Sequence, residues 1–155
     1  MEILCLRDRP ELLDAAARYF ASKWEVPEAV YRESMEMSLK AAGITPNWYL
    51  MMEAGEITGS FGIIDNDFMA DTAFSPWLCA LYVEEHLRGA GRGGMLLAHA
   101  LEEARRFRTR RLYLNTDHRS YYERYGWRYL GDYPHMDGGT ARVYMAEPPE
   151  TEKTP

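Results

Sequence analysis

The chain switches between two hydrophobic periods, and each switch marks an element boundary. Ile3–Cys5–Leu6 reads as a short strand. Asp8 is placed to cap a helix whose early turn holds Pro10 and Glu11, with Leu12, Ala16, Tyr19 and Phe20 on its apolar face. Pro27 opens a second helix with Tyr31, Met35, Leu39 and Ala42 in line, and Gly43 is expected to stop it. Asn47–Glu53 and Glu56–Ile64 read as antiparallel strands joined at Ala54–Gly55. A polar loop then runs from Asp65 to Ser75. After Pro76, the run Trp77–Leu78–Cys79–Ala80–Leu81–Tyr82–Val83 is almost wholly apolar and too short for a typical helix, so it reads as a buried strand.

From Gly94 the period changes. Leu97, Ala100, Leu101, Ala104 and Phe107 fall on one helical face. Arg111–Asn115 alternates as a strand, and Asp117 is placed to cap a short helix ending at Gly126. Trp127–Tyr133 and Ala141–Met145 are the last strands, around a loop holding His135 and Asp137. The order β-α-α-β-β-β-α-β-α-β-β predicts an α/β (α+β) domain over residues 1–147, with a mixed, mostly antiparallel sheet flanked by helices. Residues 148–155 are polar and proline-rich, and are expected to be disordered.

Between the buried strand and the long helix lies Arg88–Gly89–Ala90–Gly91–Arg92–Gly93–Gly94. Glycines let backbone amides crowd a ligand, and a helix start adds unpaired N–H groups and partial positive charge. With two arginines, such a corner suits a phosphate or pyrophosphate. A plain tight turn is the simpler alternative. No G-x-x-x-x-G-K-[ST] is present, which excludes a P-loop. Gly89, Gly91 and Gly94 do match G-x-G-x-x-G, with Asp117 downstream, so a dinucleotide site is a rival. Against it, Glu84–Leu87 separate the strand from the first glycine, and only about forty residues follow Asp117.

Composition narrows the functional classes. At 155 residues and 46% hydrophobic content, one domain with a real core is expected. The net charge of −6 disfavours nucleic acid as a partner. The cluster Arg105, Arg106, Arg108, Arg110 and Arg111 reads as a solvated helix end favoured by the helix dipole. No apolar run approaches a membrane span and no basic-then-apolar leader opens the chain, so a cytoplasmic protein without membrane contact is expected. Cys5 and Cys79 lie in apolar runs and read as buried free thiols. His86, His99, His118 and His135 have no metal-ligand spacing, so no metal is expected.

Arg88–x–x–Gly91–x–Gly93 resembles the [R/Q]-x-x-G-x-[G/A] signature of the GCN5-related N-acetyltransferases, the GNAT family. Asn115, followed by Tyr121–Tyr122–Glu123–Arg124–Tyr125–Gly126–Trp127, is similar to that family's second signature. The resemblance runs from about Trp77 to Gly131, and the element order is also that of the family. It implies acetyl-CoA as cosubstrate and acetyl transfer to a primary amine of a small molecule or peptide. Residues Arg88, Gly89, Ala90, Gly91, Arg92, Gly93 and Gly94 would then hold the pyrophosphate. Leu81 and Val83 would pair through their backbone with the pantetheine arm, like an added strand. Asn115 corresponds to a residue that contacts that arm, and Tyr122 to the general acid. One departure is the bulky Asp117–His118–Arg119.

The chemistry supports the tyrosine independently. Thioester aminolysis expels a thiolate of reference pKa about 8.5, and a phenol near 10 stays protonated at neutral pH and can donate to it. The acceptor side would draw on Trp24, Glu25, Tyr31, Glu33, Asn66, Asp67, Asp71 and Asp137, aromatics and acids that suit a cationic amine. No single base stands out among them. A homodimer is compatible with the sequence. A non-catalytic acyl-CoA sensor is the alternative from another functional class.

Overall fold

The apolar runs of the middle of the chain form the inner strands of one sheet. The computed structural model describes residues 1–70 and 73–150. Strand β1 is Glu2–Cys5, and helices α1 and α2 are Leu13–Lys23 and Glu28–Lys40. Strands β2, β3 and β4 follow as Asn47–Glu53, Glu56–Ile64 and Trp77–Val83. Helix α3 is Arg92–Arg106, and β5, β6 and β7 are Leu112–Thr116, Arg128–Pro134 and Thr140–Ala146.

The seven strands lie in the order β1-β2-β3-β4-β5-β7-β6. Every pairing is antiparallel except β4 with β5, the two strands that flank α3. A doubly wound dinucleotide domain needs a parallel sheet, so this topology removes that reading. Both faces are covered, which is why β2 and β3 read as near-continuous apolar runs. On one face α3 packs Leu96, Leu97 and Ala100 against Tyr49, Phe61 and Ile63. On the other, Phe20 of α1 and Tyr31 and Met35 of α2 pack against Trp48 and Leu50. A third cluster, Met69, Trp77, Tyr113, Val143 and Met145, lies where the β3–β4 loop crosses the sheet.

Four helix boundaries differ by more than one residue from the sequence reading. Asp8 makes no capping bond, and the chain passes through 3₁₀ turns at Leu6–Asp8 and Pro10–Leu12 before α1 begins. Helix α2 stops at Lys40, before Gly43, because Ala41 turns extended. There Arg7 serves as a remote cap, donating to the carbonyls of Ser38 (2.8 Å), Gly43 (2.6 Å) and Pro46 (3.0 Å). Helix α3 begins at Arg92 rather than Gly94, with Gly91 at its N-cap. Asp117 caps no helix: Ser120 sits at φ 67°, and only the 3₁₀ turn Tyr122–Tyr125 forms before Gly126. Of the tail, residues 151–155 lie outside the described residues, as does Asp71.

Candidate active site

The sheet opens between β4 and β5. Trp77 and Tyr113 are their single Cα partners, and beyond that pair the strands diverge. A bulge on β4 begins the opening. Ser60↔Tyr82 and Gly62↔Cys79 are partners, so two steps along β3 match three along β4. Ala80, the extra residue, sits at φ 53°, and its carbonyl accepts from Ser60 Oγ at 3.2 Å. Cys79 and Ala80 therefore both pack toward α1 and α2. Leu81 and Val83 are turned to the α3 face, where strict alternation from Cys79 would not have put them.

A cleft of about 550 Å³ occupies this opening. One end is the glycine-rich turn. The first intrahelical bond of α3 runs from the Met95 N–H to the Gly91 carbonyl at 3.0 Å, so the amides of Arg92, Gly93 and Gly94 have no helical acceptor. No acidic side chain lies in this first turn to compete for them. Gly89 and Gly91 sit at φ 87° and 85°, where a side chain is strained, and a Cβ on either would meet open space. Gly93 and Gly94 serve packing instead. A Cβ on Gly93 would strike the Tyr121 hydroxyl, and one on Gly94 the Tyr125 ring.

The two arginines divide in the same way. Arg92 gives Nε and Nη2 to the Glu53 carboxylate, at 3.0 and 2.9 Å, and Nη1 to the Leu87 carbonyl at 3.3 Å. That bidentate pair, with a Thr58 hydrogen bond, holds the Glu53 carboxyl down at about 2. Arg88 makes no carboxylate pair among the described residues. Its Nε donates to the Val83 carbonyl at 2.8 Å, and its guanidinium lies 5.2 Å over the Tyr82 ring.

Tyr122 forms part of the wall. It is 8% exposed, packed between Trp127 and Tyr144, yet it borders the cleft. Burial and the neighbouring Tyr121 push its phenol up to about 12, and a hydrogen bond with the Thr116 side chain opposes the rise. The phenol thus keeps its proton at neutral pH.

A family profile described as "Acetyltransferase (GNAT) family" matches residues 9–127. The chain belongs to the acetyltransferase (GNAT) family. It is an acetyl-CoA-dependent N-acetyltransferase. Comparison with curated protein sequences gave no match. Among solved structures, an aminoglycoside 6′-N-acetyltransferase complexed with coenzyme A is 17% identical, with all of both chains covered and a TM-score of 0.72. A ribosomal-protein-alanine N-acetyltransferase from Brucella melitensis is also 17% identical, covering 95% of this chain and 99% of its own, with a TM-score of 0.66. A GNAT acetyltransferase from Elizabethkingia anophelis with acetyl-CoA bound is 19% identical over 74% of this chain and 82% of its own, with a TM-score of 0.56. Identities this low speak to the fold alone.

In this acetyltransferase, Leu81, Val83, Arg88, Gly89, Gly91, Arg92, Gly93 and Tyr122 all border the cleft. Ala90, Gly94 and Asn115 are not among its lining residues. The Asn115 amide instead donates to the Asp67 carbonyl and to Asp67 Oδ2, each at 3.1 Å. Of the acceptor-side group, Trp24 borders the cleft, Tyr31 is core, and Asp67 lies beside Asn115. His135 and Asp137 face each other at 3.2 Å. Among the described residues no metal-binding group forms, and no helix is long and apolar enough to cross a membrane. Both cysteines are free. Cys79 is buried and its thiol pushed well up by desolvation, so it is no nucleophile.

Two features escaped the sequence reading. Tyr82, turned away from Leu81 and Val83, stacks with Arg88 and faces Lys23, Tyr19 and Trp24. Glu84 accepts from Tyr19 at 2.5 Å and pairs with Lys23 at 3.0 Å. The alternation within Leu81–Tyr82–Val83 signalled an outlying Tyr82, but nothing in the sequence marked its partners.

Proposed function

We propose that this acetyltransferase moves the acetyl group of acetyl-CoA to a primary amine of a small molecule or peptide, by direct attack, with Tyr122 as general acid to the departing thiolate. The observation that carries this reading is the single cleft that joins the unpaired amides of the α3 start to the Tyr122 phenol through a gap between two strands. The residues fit CoA. The amides of Arg92 and Gly93 and the Arg88 guanidinium suit its pyrophosphate, and the first turn of the helix carries no acidic residue. The free edges of β4 and β5 suit an extended amide arm. Bound there, acetyl-CoA supplies an activated acyl group as a thioester.

The roles of this chain's own residues follow. Leu81 and Val83 orient the arm through their backbone. Arg92, held by Glu53, fixes the turn rather than serving mainly as a ligand. Tyr122 donates its proton as charge grows on sulfur.

The test is thiol release from acetyl-CoA over a panel of polyamines, amino acids, aminoglycosides and peptide N-termini, alongside calorimetric titration with CoA. Transfer with at least one primary amine is expected. CoA binding with no thiol release from any would refute these primary amines as the acceptor class.

A further inference from the structure

The β3–β4 loop is tied across the end of the sheet. Asn66 donates to the Met69 carbonyl (3.0 Å) and accepts from the Met69 N–H (3.1 Å). The Ala70 N–H donates to the Pro134 carbonyl at 3.0 Å, and the Met136 N–H to the Phe68 carbonyl at 2.8 Å. This clamp brings Asp67 to Asn115 of β5, two residues beyond the last β4–β5 pair. Several elements converge on its carboxylate. Asn115 of β5 donates to it at 3.1 Å. His135 of the β6–β7 hairpin, itself paired with Asp137, adds an opposing electrostatic pull. Its own charge, after burial, helps hold the Cys79 thiol of β4 and the Tyr31 phenol of α2 protonated. Cys79 and Asn115 each stand two residues beyond the last β4–β5 pair, where the strands have parted.

Consecutive strand residues point to opposite faces. On β5, Leu112 and Leu114 pack into the α3-side core, whereas Tyr113 packs on the other side with Met69 and Trp77. Thr116 follows the leucines and hydrogen-bonds Tyr122. Asn115 follows Tyr113 and holds Asp67. Two adjacent residues of β5 thus hold Tyr122 on one face of the sheet and Asp67 on the other.

Resting on the acetyl-transfer reading above, we propose that Asp67 is the catalytic base of the acceptor half, and that the acceptor is a cationic alkylamine approaching from the α1/α2 face. Asp67 takes one proton from the ammonium. The neutral nitrogen attacks the thioester carbonyl carbon and the C–N bond forms. The C–S bond breaks, its electron pair leaves on sulfur, and sulfur takes the Tyr122 proton. The nitrogen loses its second proton to solvent as the amide forms, and solvent returns one to Tyr122. One proton is released overall, from Asp67. Burial lifts the Asp67 carboxyl to about 6, against the opposing pull of Asn115 and His135. It is therefore ionised at neutral pH and more basic than an ordinary carboxylate. The exposed Phe68 ring, stacked 6.3 Å from His135, offers a cation an aromatic rim.

The probes are putrescine, an alkylammonium at neutral pH, and hydroxylamine, which is largely neutral there. Wild-type kcat/KM for putrescine should rise with pH through the Asp67 titration. Asp67→Asn keeps the shape and the bond from Asn115, and calorimetry with CoA confirms its fold. Putrescine turnover should fall about 10²-fold or more, recover toward high pH as the amine loses its own proton, and fall much less for hydroxylamine. An equal loss for both nucleophiles, or none, makes Asp67 a brace and overturns the proposal. So does a wild type that binds CoA but acetylates no putrescine at any pH. A wild type that fails to bind CoA defeats the underlying reading instead.

Discussion

Replacing Tyr122 by Phe removes one hydroxyl from a residue that is otherwise packing. The ring centroid lies 5.9 Å from Tyr144 and 6.4 Å from Trp127, and those contacts persist in the variant. The structural loss is one side-chain hydrogen bond with Thr116, worth about 1 kcal/mol. For a domain of this length that lowers Tm by roughly 2–4 °C. The catalytic loss is larger. A phenol near 12 is a weaker acid than a thiol of reference pKa about 8.5, so full transfer to free thiolate runs uphill by roughly 5 kcal/mol. That is an upper figure, because the same dry cleft raises the thiol as well. Proton donation therefore comes late, as the C–S bond breaks.

General acids contribute about 10²- to 10⁴-fold, or about 2.7–5.4 kcal/mol of barrier. Tyr122→Phe should lower kcat by that factor while CoA affinity, read by calorimetry, stays put. The phenol is held above its ordinary pKa, so it remains protonated through the working range. Wild-type kcat should show no loss below about pH 10 from its ionisation. Wild-type turnover in the Phe variant, or a basic limb near pH 8–9 that Tyr122→Phe abolishes, would refute the reasoning.

The glycine turn gives two contrasting outcomes. Gly91→Asp places a carboxylate and a strained side chain at φ 85° where phosphate belongs, and CoA affinity should fall at least about tenfold, or 1.4 kcal/mol, in a protein that still folds. Gly94→Ala drives a methyl into the Tyr125 ring and should cost about 1–3 kcal/mol of stability, read by thermal melts; an unchanged Tm would mean the ring is not fixed there. The Glu53–Arg92 pair predicts a pH effect. The Glu53 carboxyl is about 2 when folded against its ordinary 4.5, so its stabilisation is present above pH 4.5 and is lost as pH falls toward 2. Tm should drop more steeply across that window in the wild type than in Glu53→Gln, and parallel curves would remove the pair's role.

The element order could be read from periodicity because most elements are apolar runs bounded by Gly, Pro or polar loops. The phosphate turn was equally open, since its glycines and helix lie within a few residues. What escaped depends on partners distant in sequence. Arg92 reads as a phosphate ligand until Glu53, 39 positions away, claims it. The Asn115 amide is held by Asp67, 48 positions away, a partner that local sequence does not announce. Gly93 and Gly94 look like ligand glycines, yet tyrosines packed on them explain them. The helix expected after Asp117 fails at Ser120, a backbone conformation no propensity announces. The bulge at Ala80 is a single inserted step, and it decides which face Leu81 and Val83 serve.

The parted strands also bear on how this sheet keeps to itself. An unpaired strand edge is ordinarily a template for another chain, and proteins blunt such edges with charge, proline or cover. Beyond Trp77 and Tyr113, β4 and β5 each carry such an edge, and the two face one another. An intruding strand needs about 4.8 Å on each side, and the closed pair at the root narrows the space to a wedge. An added strand therefore finds less room the deeper it enters. The fold thus turns these two inner edges toward one another, in a space that narrows to the closed pair.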